Sequence, residues 1–209
     1  MDKSIAFIFI GTNKYVDFFP EYYDSVYRHF IPDFYKVKKE ILVFTDVPEA
    51  DIFKLPGVKA FKIKHKPWPY ITLKRFEFIM EAKDYLSNFT DVIFMDADMV
   101  VNDIIPKDFL DVYDKYFGVQ HPGQWMYGPV CEFETNPDST ACVTKDIKET
   151  RYRQGCFWGG KNPFILSMIE QLQDNVNKDL EKNIVAAWHD ESHLNKFFTD
   201  NEKDVVTLS

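Results

Sequence analysis

The sequence predicts an α/β protein built on a parallel sheet, and two observations carry this prediction. Short apolar runs rich in β-branched and aromatic residues recur in the first half of the chain, as is typical of buried strands. Segments with apolar residues at helical spacing separate these runs, and such alternation indicates a parallel sheet with helices on both faces. The predicted strands are Ile5–Ile10, Ile41–Thr45, Val58–Ile63 and Val92–Met95.

The helices are predicted from the same spacing rule. The segment from Pro69 to Leu86 carries apolar side chains at roughly helical intervals, which favours one continuous helix there. From Gln124 to Gly160 glycine, proline and aromatic residues are dense and periodicity is less obvious. The remaining predicted helices are Tyr15–Phe30, Pro163–Asn177 and Asn183–Phe198.

Length, composition and charge limit the possible classes of protein. With 209 residues, 45% of them hydrophobic, the chain has enough apolar side chains for one substantial core, so we expect a single domain over 1–209. The formal net charge is −8, and no basic block is present that would neutralise a run of phosphates. We therefore expect no nucleic-acid partner.

Cysteine usage and the N-terminus predict the compartment. Cys131, Cys142 and Cys156 are an odd number without CxxC spacing, which favours neither a disulfide framework nor a zinc ribbon and fits a reducing environment. The first apolar run, Ile5–Ile10, is far shorter than the ~20 residues that span a bilayer. We expect a cytoplasmic protein with no signal peptide and no transmembrane segment.

Two carboxylates, Asp96 and Asp98, directly follow the predicted strand Val92–Met95. In parallel sheets ligands bind beyond the carboxyl ends of the strands, an edge where Gly11–Asn13 and Thr45-Asp46 are also expected. Mg²⁺ and Mn²⁺ prefer oxygen ligands and often share them between one or two carboxylates and substrate phosphates. The pair therefore predicts either a metal site on a nucleotide diphosphate or a solvated turn or helix cap.

A second polar cluster occupies residues 189–193 and contains two histidines and two acids. His189 and His193 are four residues apart and would share one helical face, as in zinc proteases. That interpretation fits poorly, because Asp190 stands where the protease motif needs glutamate. The cluster predicts either a carboxylate active site or acids that favour a helix N-terminus.

Basic, glycine and aromatic residues allow two interpretations each. In one interpretation Arg75 and Lys74 neutralise a phosphate or orient a carboxylate. In the other they belong to an exposed helical face that also carries Glu77 and Glu81. Glycines such as Gly155 indicate close backbone approach or a tight turn. The aromatics are candidates for stacking on a base or a sugar, or for the core: Trp68, Trp125, Phe157, Trp158 and Trp188.

Taken together and in order, these segments resemble the family 6 glycosyltransferases, which include the animal ABO blood-group transferases and the α-1,3-galactosyltransferase. The resemblance runs from about residue 5 to the end, and its last motif, nine consecutive residues of mixed chemistry, is the most specific. The matching segments are Lys14-Tyr15-Val16, Phe44-Thr45-Asp46, Trp68 through Arg75 to Glu77, Asp96-Ala97-Asp98-Met99, His121-Pro122-Gly123, Gly155 with Phe157-Trp158-Gly159-Gly160, and Trp188-His189-Asp190-Glu191-Ser192-His193-Leu194-Asn195-Lys196.

The resemblance implies a GT-A type fold with a mixed, mainly parallel sheet, a nucleotide-sugar half (about 1–120) and an acceptor-side half (about 121–209). It implies transfer of galactose or N-acetylgalactosamine from the UDP-sugar, in α-1,3 linkage with retention, to an oligosaccharide acceptor, with Mn²⁺ or Mg²⁺ as the cofactor. By position, Glu191 is the catalytic carboxylate. The donor and nucleotide residues implied are Ile10, Gly11, Thr12, Tyr15, Arg75, Asp96, Ala97, Asp98, Gln154, Gly155, Cys156, His189 and Asp190, with Asp96 and Asp98 as metal ligands; the acceptor residues are His121, Trp188 and Glu191.

Three features depart from the family pattern. Many bacterial members carry Asn-x-Asn and work without metal, whereas this chain has Asp-x-Asp like the animal enzymes. The sequence ends at Ser209, before the basic C-terminal tail that folds over the diphosphate in animal relatives. Residues 154–156 stand where the family selects its donor and match none of the animal patterns; because a side chain larger than glycine at Cys156 crowds an acetamido group, we expect a lean toward galactose.

Two other function classes are considered from the sequence. A sugar nucleotidyltransferase also places a strand-end aspartate and a metal on an α/β sheet, but it would want a glycine-rich phosphate loop, of which Gly11–Lys14 is only a faint version. A non-catalytic glycan-binding module would use aromatics and acids to hold sugar without metal or nucleotide. The motif series favours the transferase.

Overall fold

A computed structural model describes residues 3–123, 132–144 and 150–209. These residues form a seven-stranded mixed sheet with the strand order β3-β2-β1-β4-β6-β5-β7. Strands β1 to β4 are mutually parallel, β6 is antiparallel to both of its neighbours, and β7 is parallel to β5. The strands are β1 (Ser4–Ile10), β2 (Lys38–Thr45), β3 (Val58–Lys62), β4 (Asp91–Met95), β5 (Tyr116–Gln120), β6 (Arg153–Lys161) and β7 (Val205–Leu208).

Helices cover both faces of this sheet, so the predicted α/β class is confirmed and is consistent with a GT-A type fold. Short 3₁₀ turns occur at Asn13–Phe18, Asp33–Tyr35, Asp51–Phe53, Lys107–Asp111 and Glu202–Asp204. The α-helices are α1 (Phe19–His29), α2 (Tyr70–Leu73), α3 (Arg75–Met80), α4 (Lys83–Leu86), α5 (Phe164–Glu181) and α6 (His189–Asp200).

Strand β1 shows why a continuous apolar run folds here. Successive side chains of a strand point to opposite faces, so a strand buried on both sides must be apolar throughout. Ala6 and Ile8 join the core on the face covered by α3, α5 and α6, whereas Ile5, Phe7 and Phe9 join the core that packs on α1. All five side chains are fully buried.

The four strands predicted from apolar runs are confirmed, and the sheet is mixed and mainly parallel, as the resemblance implies. Strands β5, β6 and β7 lie beyond the part where periodicity is clear. Strand β6 escaped prediction because it contains three glycines, which the packing requires. A Cβ atom on Gly159 would lie 2.6 Å from the Val92 carbonyl oxygen, and one on Gly160 would lie 2.3 Å from that of Lys115.

The predicted helices are corrected at three places. Residues 13–18 form a 3₁₀ turn ahead of α1, and the predicted helix Pro69–Leu86 is interrupted at Lys74 and again at Glu81 and Ala82. The last predicted helix begins at His189 rather than at Asn183, where the backbone takes a positive φ of 59°. Propensity does not detect such breaks when tertiary contacts decide them.

Two sequence features need a structural note. Trp125 and Cys131 lie outside the described residues, whereas Cys142 and Cys156 are free thiols. Within residues 3–123, 132–144 and 150–209, no helix has the length and apolar character that crossing a membrane requires.

Candidate active site

The ends of three strands converge at one edge of the sheet. The parallel strands β1 and β4 end there at Ile10 and Met95. Because β6 runs antiparallel to β4 and pairs Phe157 with Met95, it begins at this same edge. The backbone N–H of Asp96 donates to the Cys156 carbonyl oxygen at 2.9 Å and extends the pairing past the end of β4.

A cleft of about 320 Å³ opens at this edge. It unites residues that are up to 88 positions apart in the chain, counted from Ile10 to Asp98. Sequence reasoning assigned no site role to His65, Lys66, Ile71 and Thr72, because nothing in their local pattern predicts that the loop after β3 and helix α2 fold over the strand ends. The lining residues are Ile10, Thr12, Tyr15, His65, Lys66, Pro67, Trp68, Ile71, Thr72, Arg75, Phe94, Asp96, Ala97 and Asp98.

Gly11 does not line the cleft, although both of its neighbours in the chain do. Its N–H donates to the Phe44 carbonyl oxygen at 3.0 Å. A Cβ atom at this position would lie 2.4 Å from the Phe9 ring, so a larger residue would displace a buried side chain. Glycine at position 11 therefore permits close packing at the end of β1.

Aromatic and imidazole rings form one wall of the cleft. The Thr12 hydroxyl and His65 Nδ1 are 2.9 Å apart, which ties the end of β1 to the loop after β3. Trp68 is 72% exposed and packs edge-on against His189, with ring centroids 4.9 Å apart. Together with Tyr15, this wall offers flat apolar surface of the kind that receives a planar base.

Arg75 is the charged centre of the site. Its Nη1 donates to the Gly155 carbonyl oxygen at 2.9 Å, and its Nη2 donates to Asp96 Oδ1 at 3.3 Å. Its Nε lies 3.0 Å from Asp190 Oδ2 without hydrogen-bond geometry, so this contact is an ion pair. Of the two sequence interpretations, the structure favours the one in which Arg75 orients carboxylates, and the exposed-face alternative is wrong because Arg75 is buried.

Asp190 is the second carboxylate that contacts Arg75, and it is 95% buried. Burial raises the pKa of Asp190 to about 7; Arg75 lowers it, but the negative charges of Asp96 and Glu191 raise it further. The same carboxylates outweigh burial and raise the pKa of Arg75. The site therefore holds more negative charge than one guanidinium balances.

Asp96 and Asp98, the two acids expected to bind metal, lie beside these charged groups. Burial raises the pKa of Asp96; Arg75 lowers it, and Asp98 and Glu191 raise it. Within the described part of the chain, no group of three or more His, Cys, Asp or Glu side chains is arranged to hold an ion. A two-carboxylate set with uncompensated negative charge fits a hard dication that takes its other ligands from a diphosphate and water.

Glu191 lies on the first turn of α6, where both of its carboxylate oxygens accept hydrogen bonds. The Tyr152 hydroxyl donates to Oε1 at 2.8 Å, and the Gly155 N–H donates to Oε2 at 2.6 Å. A Cβ atom on Gly155 would lie 3.2 Å from Glu191 Cβ, so glycine permits the close approach of strand and helix. Buried Asn195 of α6 also links this helix to β6. Its side-chain amide donates to the Arg153 carbonyl oxygen at 2.7 Å and to the Glu191 carbonyl oxygen at 3.0 Å.

The remaining predicted residues lie around this junction. The His121 N–H donates to the Tyr152 carbonyl oxygen at 2.9 Å. Trp188 precedes α6 and is 49% exposed. Gln154 and Cys156 are half-buried residues of β6, and burial raises the pKa of the Cys156 thiol to about 12, so this thiol is neutral.

The structure separates the two histidines of the cluster at 189–193. His189 has a positive φ of 53° and contacts Trp68, whereas His193 is buried, with Nε2 3.7 Å from Asp179 Oδ2. The shared metal-binding face of a zinc protease is therefore absent. Asp190 and Glu191 lie in the first turn of α6, where helix polarity favours acids, so their position fits the interpretation as acids at a helix N-terminus. The interpretation as a carboxylate active site stays a prediction.

A comparison with known families decides the class. The sequence model described as Glycosyltransferase family 6 matches residues 1–209. The chain belongs to this family. It is therefore a hexosyltransferase, which favours the transferase over the nucleotidyltransferase and the glycan-binding module considered from the sequence.

Individual glycosyltransferases of several organisms are similar to this family 6 chain. The O-antigen biosynthesis glycosyltransferase WbnI of Escherichia coli is 32% identical over 200 residues, which cover 95% of this chain and 83% of WbnI. The histo-blood group ABO system transferase 2 of Rattus norvegicus is 26% identical, over 94% of this chain and 59% of the relative. The globoside alpha-1,3-N-acetylgalactosaminyltransferase 1 of Gallus gallus is 25% identical, over 95% and 58%. The matched region thus spans less than two thirds of these animal relatives.

Proposed function

We propose that this family 6 enzyme transfers galactose from UDP-galactose to an oligosaccharide acceptor in α-1,3 linkage with retention of configuration, and that it requires a divalent cation. The observation that carries the proposal is the cluster of Arg75, Asp96, Asp190 and Glu191 beside a cleft that Arg75 and Asp96 line and that has aromatic rings in one wall. The name of the globoside relative, which specifies an alpha-1,3-N-acetylgalactosaminyltransferase, supports the linkage and keeps UDP-N-acetylgalactosamine as the competing donor.

The cleft has the features that a uridine needs. Ile10 and Ile71 provide apolar contact, and Tyr15 and Trp68 provide rings for stacking. Thr12 and His65 provide hydrogen-bonding groups for a base or ribose. The diphosphate would then lie beside Asp96 and Asp98, which line the same cleft.

The cation we propose is Mn²⁺ or Mg²⁺, with Asp96 and Asp98 as its protein ligands. A donor diphosphate brings further negative charge to a site that already has a surplus of carboxylates, and this repulsion must be compensated for binding. When bound, the cation stabilises the negative charge that develops on the leaving diphosphate.

Glu191 is the residue we propose to act on the reacting sugar. Retention requires either a carboxylate that attacks the anomeric carbon or a same-face route in which a carboxylate stabilises positive charge and positions the acceptor hydroxyl. The two hydrogen bonds from Tyr152 and Gly155 fix the Glu191 carboxylate in one orientation. Arg75 holds Asp190 and Asp96 in place around it.

Purified protein incubated with Mn²⁺ and each common UDP-sugar, with and without candidate oligosaccharides, tests the proposal. We expect UDP release that depends on the acceptor and is abolished by excess EDTA. The variant Asp96→Asn with Asp98→Asn should be inactive at any Mn²⁺ concentration, since it lacks both ligand charges.

The matched control is Asp103→Asn with Asp108→Asn, which removes the same charge from two exposed residues outside the cleft. This control should keep full activity and full sensitivity to EDTA. Undiminished transfer in EDTA, or in the Asp96 and Asp98 double variant, would contradict the metal requirement while leaving the transferase activity intact.

A further inference from the structure

Tyr152 makes a contact with the proposed catalytic carboxylate that no sequence motif predicts. Its hydroxyl donates to Glu191 Oε1 at 2.8 Å, while the Gly155 N–H holds Oε2 at 2.6 Å. The backbone donor alone holds one oxygen and leaves the carboxylate free to rotate about it. The second donor, at the other oxygen, fixes the plane of the group.

Tyr152 is itself held rigidly. Its side chain is 1% exposed and packs edge-on against Phe133, with ring centroids 5.0 Å apart. With Phe133 and Val143 it forms a small apolar cluster separate from the two main cores of the sheet. The His121 ring lies against its other side at 5.9 Å. The hydroxyl therefore has a fixed place from which to donate.

The segment that buttresses Tyr152 also holds the chain that enters α6. Glu134 Oε2 accepts a hydrogen bond from the Ala187 N–H at 2.8 Å, and Glu134 Oε1 accepts one from the Asn136 N–H at 2.7 Å. Phe133 thus packs on the residue that orients Glu191, and its neighbour fixes the backbone just before Trp188. One contact therefore acts on the first turn of α6 and the other on the chain just before it.

We propose that Tyr152 is the positioning residue of Glu191, holding the carboxylate in its reactive orientation by a hydrogen bond from its hydroxyl. This inference rests on the proposed role of Glu191. The Tyr152 side chain is 1% exposed and its hydroxyl donates to Glu191, so its effect on catalysis passes through Glu191 and not through contact with the donor nucleotide. Displacement of a reacting group by less than an ångström lowers the catalytic rate without a comparable effect on ground-state binding.

The test is Tyr152→Phe, which keeps the ring and its packing and removes only the donor. We expect kcat to fall on the order of 10-fold, with the KM for the UDP-sugar and the affinity for UDP changed less than about twofold. Single-turnover transfer should slow by the same factor. An unchanged kcat, or a loss of UDP affinity equal to the loss of kcat, would overturn the proposal.

Tyr113→Phe is the matched control, because the Tyr113 hydroxyl also donates to a buried carboxylate, that of Asp91, at 2.8 Å and outside the cleft. We expect it to lower the melting temperature and leave kcat unchanged. Were Tyr113→Phe to lower kcat as much as Tyr152→Phe does, the effect would be general destabilisation and the proposal would fail.

A double-mutant cycle with Glu191→Gln isolates the coupling. In the E191Q background, loss of the Tyr152 hydroxyl should change the residual rate less than about twofold, because the charged group it orients is gone. Equal losses in both backgrounds would contradict positioning. If E191Q is inactive and Y152F is fully active, only this inference fails; if E191Q retains the full rate, the proposed role of Glu191 fails first.

Discussion

The molecule buries two arginines, and their charges are balanced in different ways. Arg153 is the first residue of β6, and Arg75 contacts the same strand at the Gly155 carbonyl oxygen. Arg153 is completely buried, and its guanidinium has matched partners. Its Nη2 lies 2.8 Å from both oxygens of Glu202, and its Nε donates to the Thr207 hydroxyl at 2.9 Å. One carboxylate thus balances one guanidinium, and the contact ties β6 to β7 and to the turn before it.

Arg75 faces a different balance of charge. It contacts Asp96 and Asp190 directly, Glu191 lies close enough to raise its pKa, and the group borders an open cleft. Burial lowers the pKa of Arg153, whereas around Arg75 the carboxylates outweigh burial. Surplus charge beside a cleft is costly for the fold alone, so it indicates a site that receives a ligand, whereas matched buried charge indicates a structural clamp.

The strongest way to break this comparison is Glu191→Gln. The substitution keeps the shape and removes the charge, so we expect kcat to fall at least ~10²-fold while UDP affinity changes little. Transfer assays and UDP titration measure the two effects. Glu181→Gln at the exposed end of α5 is the charge-matched control and should be neutral. If Asp190→Asn is inactive and Glu191→Gln transfers at the original rate, the catalytic carboxylate is Asp190.

The next largest expected effect is on stability and comes from His193, a buried histidine outside the cleft. Burial lowers the pKa of His193 to about 4, although Asp179 and Glu134 face it and raise it. His193 is therefore neutral in the folded protein, while the unfolded chain takes up a proton below its ordinary pKa of 6.5. Stability is then lost as the pH falls from about 6.5 toward 4, by about 2 kcal/mol between pH 7 and pH 5.

Chemical denaturation at pH 7, 6 and 5 measures this loss. The variant His193→Gln removes the titrating group, so its free energy of unfolding, although lower at pH 7, should fall less between pH 7 and pH 5. The same slope in both proteins would show that other groups cause the acid sensitivity. Metal-dependent UDP binding should not change this slope, because His193 does not line the cleft.

The two arginines themselves sharpen the comparison through a pair of conservative substitutions. Lysine keeps the charge but cannot replace the planar fork that contacts several acceptors at once. We expect Arg75→Lys to lower kcat/KM on the order of 10-fold with a small change in melting temperature, because it loosens Asp96 and Asp190. Arg153→Lys should instead lower the free energy of unfolding by about 1–2 kcal/mol and leave kcat unchanged. Reversed outcomes would show that the difference in charge balance does not distinguish site from clamp.

The sequence predicts the strand-end part of this site better than the junction around Glu191. Residues 92–95 of strand β4 are a fully buried apolar run, so the end of the strand and the position of Asp96 can be predicted from local pattern. The side chain that meets Asp96 is Arg75, 21 positions earlier, and only tertiary packing brings the two together. The resemblance, not the spacing, assigned Arg75 to the donor site.

Strand β6 shows why the rest escaped prediction. Its glycines lower strand propensity, yet each one lets a neighbouring element approach, as Gly155 does for Glu191. The hydroxyl of Tyr152 and the amide of Asn195 carry no signal of their own in a single sequence. Their roles depend on a strand and a helix that meet only in the folded chain.

The smallest expected effect concerns the choice of donor sugar at Cys156. Its neutral, half-buried side chain lies close enough to Asp96 and Glu191 for their charges to raise its pKa. Its bulk should crowd the acetamido group of N-acetylgalactosamine more than the hydroxyl of galactose. Because small steric differences in a pocket are worth ~1–3 kcal/mol and a thiol can adjust, we expect the low end of that range.

The substitution Cys156→Gly should raise the kcat/KM ratio of UDP-N-acetylgalactosamine to UDP-galactose by about 5-fold, which corresponds to about 1 kcal/mol. Parallel initial-rate assays with the two donors measure this ratio. Cys142→Gly is the matched control, since it removes the other described thiol, which lies outside β6 and outside the residues assigned to the donor, and it should leave the ratio unchanged. A wild-type enzyme that strongly prefers UDP-N-acetylgalactosamine would contradict the expected crowding at Cys156. The donor preference would then have to come from Gln154 or from the acceptor side.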